Sequence, residues 1–155
     1  MNRTTNASGT LNDGAVHVRI KLAALWTSVM FCYIYADYSG LYVPGKLQGM
    51  LNGKMGPLGA TTQAVLVVTS VVMAIPSIMV FLSVALKPTL NRRLNMVFGP
   101  LYTLIILGTM WSWAFYIFFG VVEIALTSLV FWHAWKWPRR AAVEGHAQGT
   151  DASFS

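Results

Sequence analysis

The chain has 155 residues, of which 55% are hydrophobic and only 10% are charged. This composition excludes an ordinary soluble domain, in which about a quarter of the residues are charged. The formal net charge is +6, and in so apolar a chain we expect the cations to mark one side of a membrane rather than a nucleic-acid surface. Because Cys32 is the only cysteine, the sequence also excludes intramolecular disulfides and CxxC redox chemistry.

The gaps between charged residues predict four membrane-spanning helices, since about 20 apolar residues cross a bilayer. The first helix reaches this length if Arg19 and Lys21 extend their charged groups to the interface. The stretch 94–135 is interrupted only by Glu123 and is long enough for two crossings, so we expect a turn near 109–113. The predicted helices are 19–40, 61–86, 92–110 and 113–136, which makes 19–138 an all-α, four-helix transmembrane bundle.

The segments outside these helices differ in character. Residues 1–18 and 139–155 are mostly polar and lack apolar periodicity, which predicts disordered cytoplasmic tails. The outer loop 41–60 carries apolar residues at helical spacing, which predicts a short interfacial helix. Three glycines spaced by four, Gly45, Gly49 and Gly53, leave one face of that helix bare. The loop is then either a lid over the bundle or a surface for another helix or a lipid.

The distribution of the cations predicts the orientation of the chain. Nine of the eleven flank the predicted helices on one side, namely Arg3, Arg19, Lys21, Lys87, Arg92, Arg93, Lys136, Arg139 and Arg140. Only Lys46 and Lys54 lie on the other side. Because cytoplasmic loops of membrane proteins carry the excess of Lys and Arg, both termini are predicted to be cytoplasmic.

Glu123 is the only acid that the sequence places near the middle of the membrane, about 18 Å along its helix from Trp135. A charge at the bilayer centre costs about 3 kcal/mol, so we expect this side chain to face the bundle interior. Counting to the same depth along the other helices brings Tyr33, Ser77 and Tyr102 to its level. Thr127 follows on the same helical face. These five residues form the predicted ligand or proton pocket.

Pro76 is predicted to break the second helix at the same depth. Since proline has no amide N–H, it leaves the carbonyl of Val72 without its helical donor. A hydroxyl, the acid of Glu123 or a water molecule would satisfy that carbonyl.

Three further residues are candidates for contacts at the membrane surfaces. Asp37 is expected at the outer interface, where it is hydrated or pairs with a lysine of the outer loop; a gate is the alternative. Arg92 and Asn95 begin the third helix, with Asn91 as its N-cap. Arg92 is a candidate contact for a lipid phosphate or another anion, although the topology alone also places cations here.

The sequence gives no indication of catalysis or of a bound cofactor. No second His or Cys stands at a metal-ligating spacing from His133, and we find neither a nucleophile with a base nor a phosphate-binding loop. We therefore predict no metal, no cofactor and no catalytic residue.

Five segments carry a resemblance to a known family. They are YIYADY (33–38), AIPSIM (74–79), NRRLN (91–95), YIFFGVVE (116–123) and AWKWP (134–138). Over about residues 20–138 the chain resembles a family of small bacterial membrane proteins known as a domain of unknown function. In general layout it is also loosely similar to DoxX-like four-helix proteins. The resemblance implies a multi-pass protein of the bacterial inner membrane and implies no activity.

Two hypotheses on function follow. In the first, the pocket around Glu123 binds a small or lipidic ligand or supports proton-coupled transport. In the second, the chain is an accessory or assembly subunit whose polar layer is purely structural. The expected partners are the lipid bilayer, a second copy of the chain or another membrane protein, and such a ligand; no feature points to nucleic acid.

Overall fold

The structure is a computed structural model that describes residues 16–137. Both predicted tails therefore lie almost entirely outside the described residues, as do Arg3, Arg139 and Arg140. Within this range the regular elements are all helical, and an isolated antiparallel bridge joins Lys54 to Ala60 in the loop. The elements are α1 (Val18–Gly40), α2 (Lys46–Leu51), a 3-10 turn (Gly56–Leu58), α3 (Gln63–Ala85), α4 (Pro88–Thr109) and α5 (Ala114–Trp135).

Three of the four long helices, α1, α3 and α5, are long and apolar enough to cross a membrane, which indicates a membrane protein. The remaining long helix, α4, has 22 residues but is less apolar. Its first two turns hold Arg92 and Arg93 together with Asn91 and Asn95, so its composition alone does not indicate a crossing.

The helix α4 begins four residues earlier than expected. Pro88 occupies its first turn and Lys87 is the N-cap, because a fixed φ suits proline to a position where its missing N–H costs nothing. The prediction that Asn91 caps this helix is therefore wrong. Asn91 lies inside the helix, fully buried.

The loop between α1 and α3 contains the short helix α2, but its glycines do not share one helical face. Gly45 is the N-cap of α2 with φ of 79°, and Gly53 follows the end of the helix with φ of 69°. Glycine adopts such left-handed conformations without a steric penalty. Only Gly49 lies within α2, so the expected bare face is wrong.

The four long helices pack in the order α3, α1, α5, α4, with α1 in contact with both α3 and α5. The last pair, α4 and α3, contact each other only sparsely. Glu123 faces the bundle interior, as expected from the sequence, and Thr127 on the same face is also buried. The buried residues include Asn95, Gly99, Tyr102 and Ile106 on α4, and Gly120, Glu123 and Thr127 on α5.

The two ends of this bundle differ in packing. We call the end where α1 and α4 begin and α3 and α5 finish the basic end, and the opposite end, which carries residues 41–62, the loop end. The buried core, Leu22, Trp26, Met79, Tyr102 and Val130, fills the half of the bundle toward the basic end. Its two large rings, Trp26 and Tyr102, meet edge to face at 5.8 Å.

The close contact between α4 and α5 depends on Gly99. A Cβ atom at this position would lie 3.2 Å from the carbonyl oxygen of Thr127 and 3.3 Å from the amide nitrogen of Phe131. Both neighbours are backbone atoms, so the helices would have to move apart. We expect Gly99→Val to lower the free energy of unfolding in detergent by about 1–3 kcal/mol.

Gly108 provides the matched control, since it lies on the same helix and a Cβ there would meet no atom within 4 Å. Gly108→Val should leave stability nearly unchanged. Equal losses for the two variants would contradict this account of the helix contact.

Candidate functional site

The half of the bundle toward the loop end contains a cavity of about 370 Å³. All four long helices and the loop contribute to its lining. The lining residues are Tyr33, Ala36 and Asp37 of α1, Leu58 of the loop, Val68, Thr69, Val72 and Met73 of α3, Tyr102, Ile105, Ile106 and Thr109 of α4, Met110 directly after α4, and Tyr116, Phe119, Gly120 and Glu123 of α5. Most of these side chains are apolar.

Glu123 lies near the middle of α5 and is 4% exposed. Among residues 16–137 its backbone carbonyl accepts a hydrogen bond from Thr127, whereas its carboxyl oxygens accept none. No Lys or Arg of the described range lines the cavity. The carboxyl group therefore lies in a largely apolar cavity without a partner in this part of the chain.

The two predicted tyrosines both line the cavity, and they differ in their hydrogen bonding. Tyr102 is 1% exposed, and its hydroxyl donates to the carbonyl of Val72 on α3. Tyr33 has a buried hydroxyl with no hydrogen-bond partner among the described residues. The structure therefore brings Tyr33, Tyr102 and Glu123 together around one space, as the count of depths along the helices indicated.

Pro76 does not interrupt α3, which continues from Gln63 to Ala85. The expected helix break is wrong. The carbonyl of Val72 nevertheless lacks its helical donor, as predicted, and accepts a hydrogen bond from a hydroxyl instead. Proline removes the amide donor to Val72, and the hydroxyl of Tyr102 takes its place from the neighbouring helix. The bond also joins α3 to α4, which otherwise contact each other little.

The other two residues of the predicted pocket lie outside the cavity. Ser77 is exposed, and its hydroxyl oxygen is 3.5 Å from the sulfur of Met30. Thr127 is fully buried between α5 and α4, with its hydroxyl 2.7 Å from that of Thr103. Ser77 was predicted in the pocket from its depth along the helix alone. Its position around α3 directs it away from the cavity.

Asp37 is exposed and lines the cavity at the loop end. Beside it, Lys46 of α2 donates to the hydroxyl of Tyr116 and lies 5.0 Å from the centre of that ring. A Cβ atom at Gly40 would overlap both groups, so this glycine makes the contact possible. The sequence gave no signal of the pairing between Lys46 and Tyr116, which lie 70 positions apart.

Arg92 and Asn95, the predicted contacts for an anion or lipid, have partners inside the protein. Arg92 donates to the carbonyls of Ala134 (3.0 Å) and Trp135 (3.3 Å), which are free at the end of α5. Asn95 is fully buried and accepts from the indole of Trp26 at 2.7 Å. The structure therefore does not bring Asn95 to the surface, because α1 covers it.

The same end contains three further polar contacts that the sequence did not predict. Asn95 donates to the side chain of Asn91 at 2.6 Å, and Asn91 donates in turn to the carbonyl of Ser83. Arg19 donates to the carbonyl of Val84 near the end of α3, at 3.4 Å. Within residues 16–137, no group of three His, Cys, Asp or Glu residues is placed to hold a metal ion.

A family model described as "Family of unknown function (DUF6326)" matches residues 15–143. This match confirms the resemblance based on the five sequence segments, all of which lie within it. No curated protein and no solved structure matches the chain.

The bond from Tyr102 to Val72 can be tested together with Pro76. Tyr102→Phe leaves a buried carbonyl without a donor, so we expect it to lower the free energy of unfolding by about 1–3 kcal/mol. In a Pro76→Ala background residue 76 regains its amide donor to Val72, so Tyr102→Phe should cost clearly less. Unfolding titrations of the four proteins in detergent measure this difference.

Tyr35→Phe is the control, since Tyr35 is 56% exposed. It should not change stability in either background. The assignment fails if Tyr102→Phe costs the same whether residue 76 is proline or alanine.

Proposed function

We propose that this chain, which belongs to a family of unknown function (DUF6326), binds a small or lipidic ligand in the cavity between its helices. The observation that carries the proposal is the buried carboxyl group of Glu123, which faces a cavity of about 370 Å³. Protein interiors seldom contain voids larger than a water molecule. Ligand sites of about 300–1,000 Å³, by contrast, are mostly apolar with a few polar groups, which matches this lining.

The exposure of the lining residues supports entry from the side or from the loop end. Val68 of α3 is 63% exposed and Leu58 of the loop is 57% exposed. An alkyl chain in the bilayer can therefore reach the cavity past these residues. Toward the basic end Leu22, Trp26 and Val130 are fully buried and close the bundle. A cavity with one closed end supports binding rather than passage in this conformation.

We also propose that α4 is the fourth membrane crossing. Three of its polar residues have partners inside the protein: Asn91 and Asn95 hydrogen-bond within the bundle, and Arg92 bonds the end of α5. Arg93 is exposed in the second turn, at the basic end, and beyond it the exposed side of the helix carries Val97, Leu101, Leu104 and Leu107. The low hydropathy of α4 therefore comes from polar groups that bond within the protein or, like Arg93, lie at the basic end.

A fourth crossing returns the chain to the side from which it started. Contacts between Arg19 and the end of α3, and between Arg92 and the end of α5, support a shared location for these helix ends. With Lys21, Lys87, Arg93 and Lys136 also at this end, we propose that it faces the cytoplasm of a bacterium, with both termini on that side of the inner membrane.

The topology can be tested by cysteine labelling of the full chain in a Cys32→Ser background. With four crossings, Asn52→Cys and Ser112→Cys should both react with a membrane-impermeant maleimide added outside. Ala85→Cys should react only after the membrane is permeabilised. If α4 does not cross, Ser112→Cys will be protected like Ala85→Cys.

Ligand binding can be tested by filling the cavity. Ala36 lines the cavity and is 7% exposed, so Ala36→Phe places a ring in that space. We expect this change to abolish photolabelling of cavity residues by an octyl alcohol that carries a diazirine on its chain, measured by mass spectrometry. Ala24→Phe is the matched control, because Ala24 is exposed on the same helix.

Labelling of cavity residues should persist in the Ala24→Phe protein. Unchanged labelling of cavity residues in the Ala36→Phe protein would overturn the proposed function and favour the accessory-subunit hypothesis.

A further inference from the structure

We propose that the cavity selects ligands with a cationic nitrogen, for which Glu123 is the counter-ion and Asp37 a weaker contact at the loop end. This inference rests on the proposed function, since it names the chemical class of the ligand for the same cavity. It is carried by the charges of the lining, by the unpartnered polar groups and by the size of the space.

The residues of the lining that carry a charge at neutral pH are all acids. Glu123 and Asp37 are carboxylic acids, and among residues 16–137 no Lys or Arg lines the cavity. The ammonium group of Lys46 donates to the Tyr116 hydroxyl and keeps its positive charge near Asp37, so the buried Glu123 is the main anionic group of the lining. An anionic ligand would meet the like charge of Glu123 in a poorly solvated space, whereas a cation would meet a complementary charge.

Two polar groups in the cavity are available to a donor. The carboxyl oxygens of Glu123 accept no hydrogen bond among the described residues, although this residue is 4% exposed. The Tyr33 hydroxyl is also buried and unpartnered there. An ionised carboxylate only accepts hydrogen bonds, and a buried charge is stabilised by a paired opposite charge. A protonated amine supplies both the donors and the charge.

The rest of the lining suits the apolar part of such a ligand. Val72, Met73, Ile105 and Ile106 provide aliphatic contacts, and the rings of Tyr116 and Phe119 can face a cation. A group the size of a water molecule occupies about 30 Å³. The cavity of about 370 Å³ therefore holds on the order of a dozen non-hydrogen atoms. The expected ligand is therefore an amine with one short alkyl chain or a single aromatic body.

The test compares three photoprobes on the full chain in nanodiscs of zwitterionic lipid. All carry the same diazirine-bearing eight-carbon chain and end in an ammonium, a hydroxyl or a carboxylate group. We expect the ammonium probe to label cavity residues at about tenfold lower concentration than the hydroxyl probe, the ratio that one charged hydrogen bond supplies. The carboxylate probe should label them least.

Variants then assign the preference to residues. Glu123→Gln keeps the shape of the side chain and removes its charge, so the ammonium probe should lose its advantage while the hydroxyl probe still labels the cavity. Asp37→Asn should reduce the advantage by a smaller factor. Ser77→Ala, on the exposed side of α3, should change neither.

The outcomes separate the two proposals. Equal labelling by the ammonium and hydroxyl probes, or an advantage that survives Glu123→Gln, would overturn the cation preference and leave ligand binding intact. Absence of cavity labelling by all three probes would overturn the proposed function itself. If Glu123→Gln does not fold, the cation preference is judged from two proteins, the unchanged chain and Asp37→Asn. The measure is the labelling concentration of the ammonium probe relative to that of the hydroxyl probe.

Discussion

The hydrocarbon core of a membrane offers no water, so each polar group of a spanning helix needs a partner inside the protein. The bond from Tyr102 to Val72 meets this requirement where Pro76 has removed a backbone donor. It also holds α3 to α4, which otherwise contact each other only sparsely. The missing amide of Pro76 thus accounts for the hydrogen bond of the buried Tyr102 phenol and for a link between α3 and α4.

The same requirement explains the basic end of the bundle. Helices leave their last carbonyls unpaired, and here Arg19 donates to the end of α3 while Arg92 donates to the end of α5. A cation also complements the negative end of a helix dipole. Behind these contacts, Trp26 donates to Asn95 with both residues fully buried. The residues at this end that resemble an anion site in the sequence therefore serve to fix helix packing.

Spacing along the chain predicted which faces point inward, because residues three and four apart share one side of a helix. Glu123 and Thr127 on α5 follow from this rule, because they are four residues apart and both are buried. Ser77 was placed in the pocket wrongly, because the sequence indicates its depth in the membrane but not the rotation of α3 about its own axis. The contact between Lys46 and Tyr116 joins residues 70 positions apart through a loop, and no local pattern encodes it.

Glu123 lies at the boundary between the buried core toward the basic end and the cavity toward the loop end. Thr127, one turn toward the basic end, is fully buried and pairs with Thr103, whereas Gly120, about one turn toward the loop end, lines the cavity. Were Glu123 a packing residue like Asn95, its carboxyl oxygens should meet a donor among the surrounding helices, because an unpaired buried acid is costly. Among the described residues Asn95 has such a donor and Glu123 does not. This difference separates Glu123 from Asn95 and supports the proposed role of Glu123 in ligand binding.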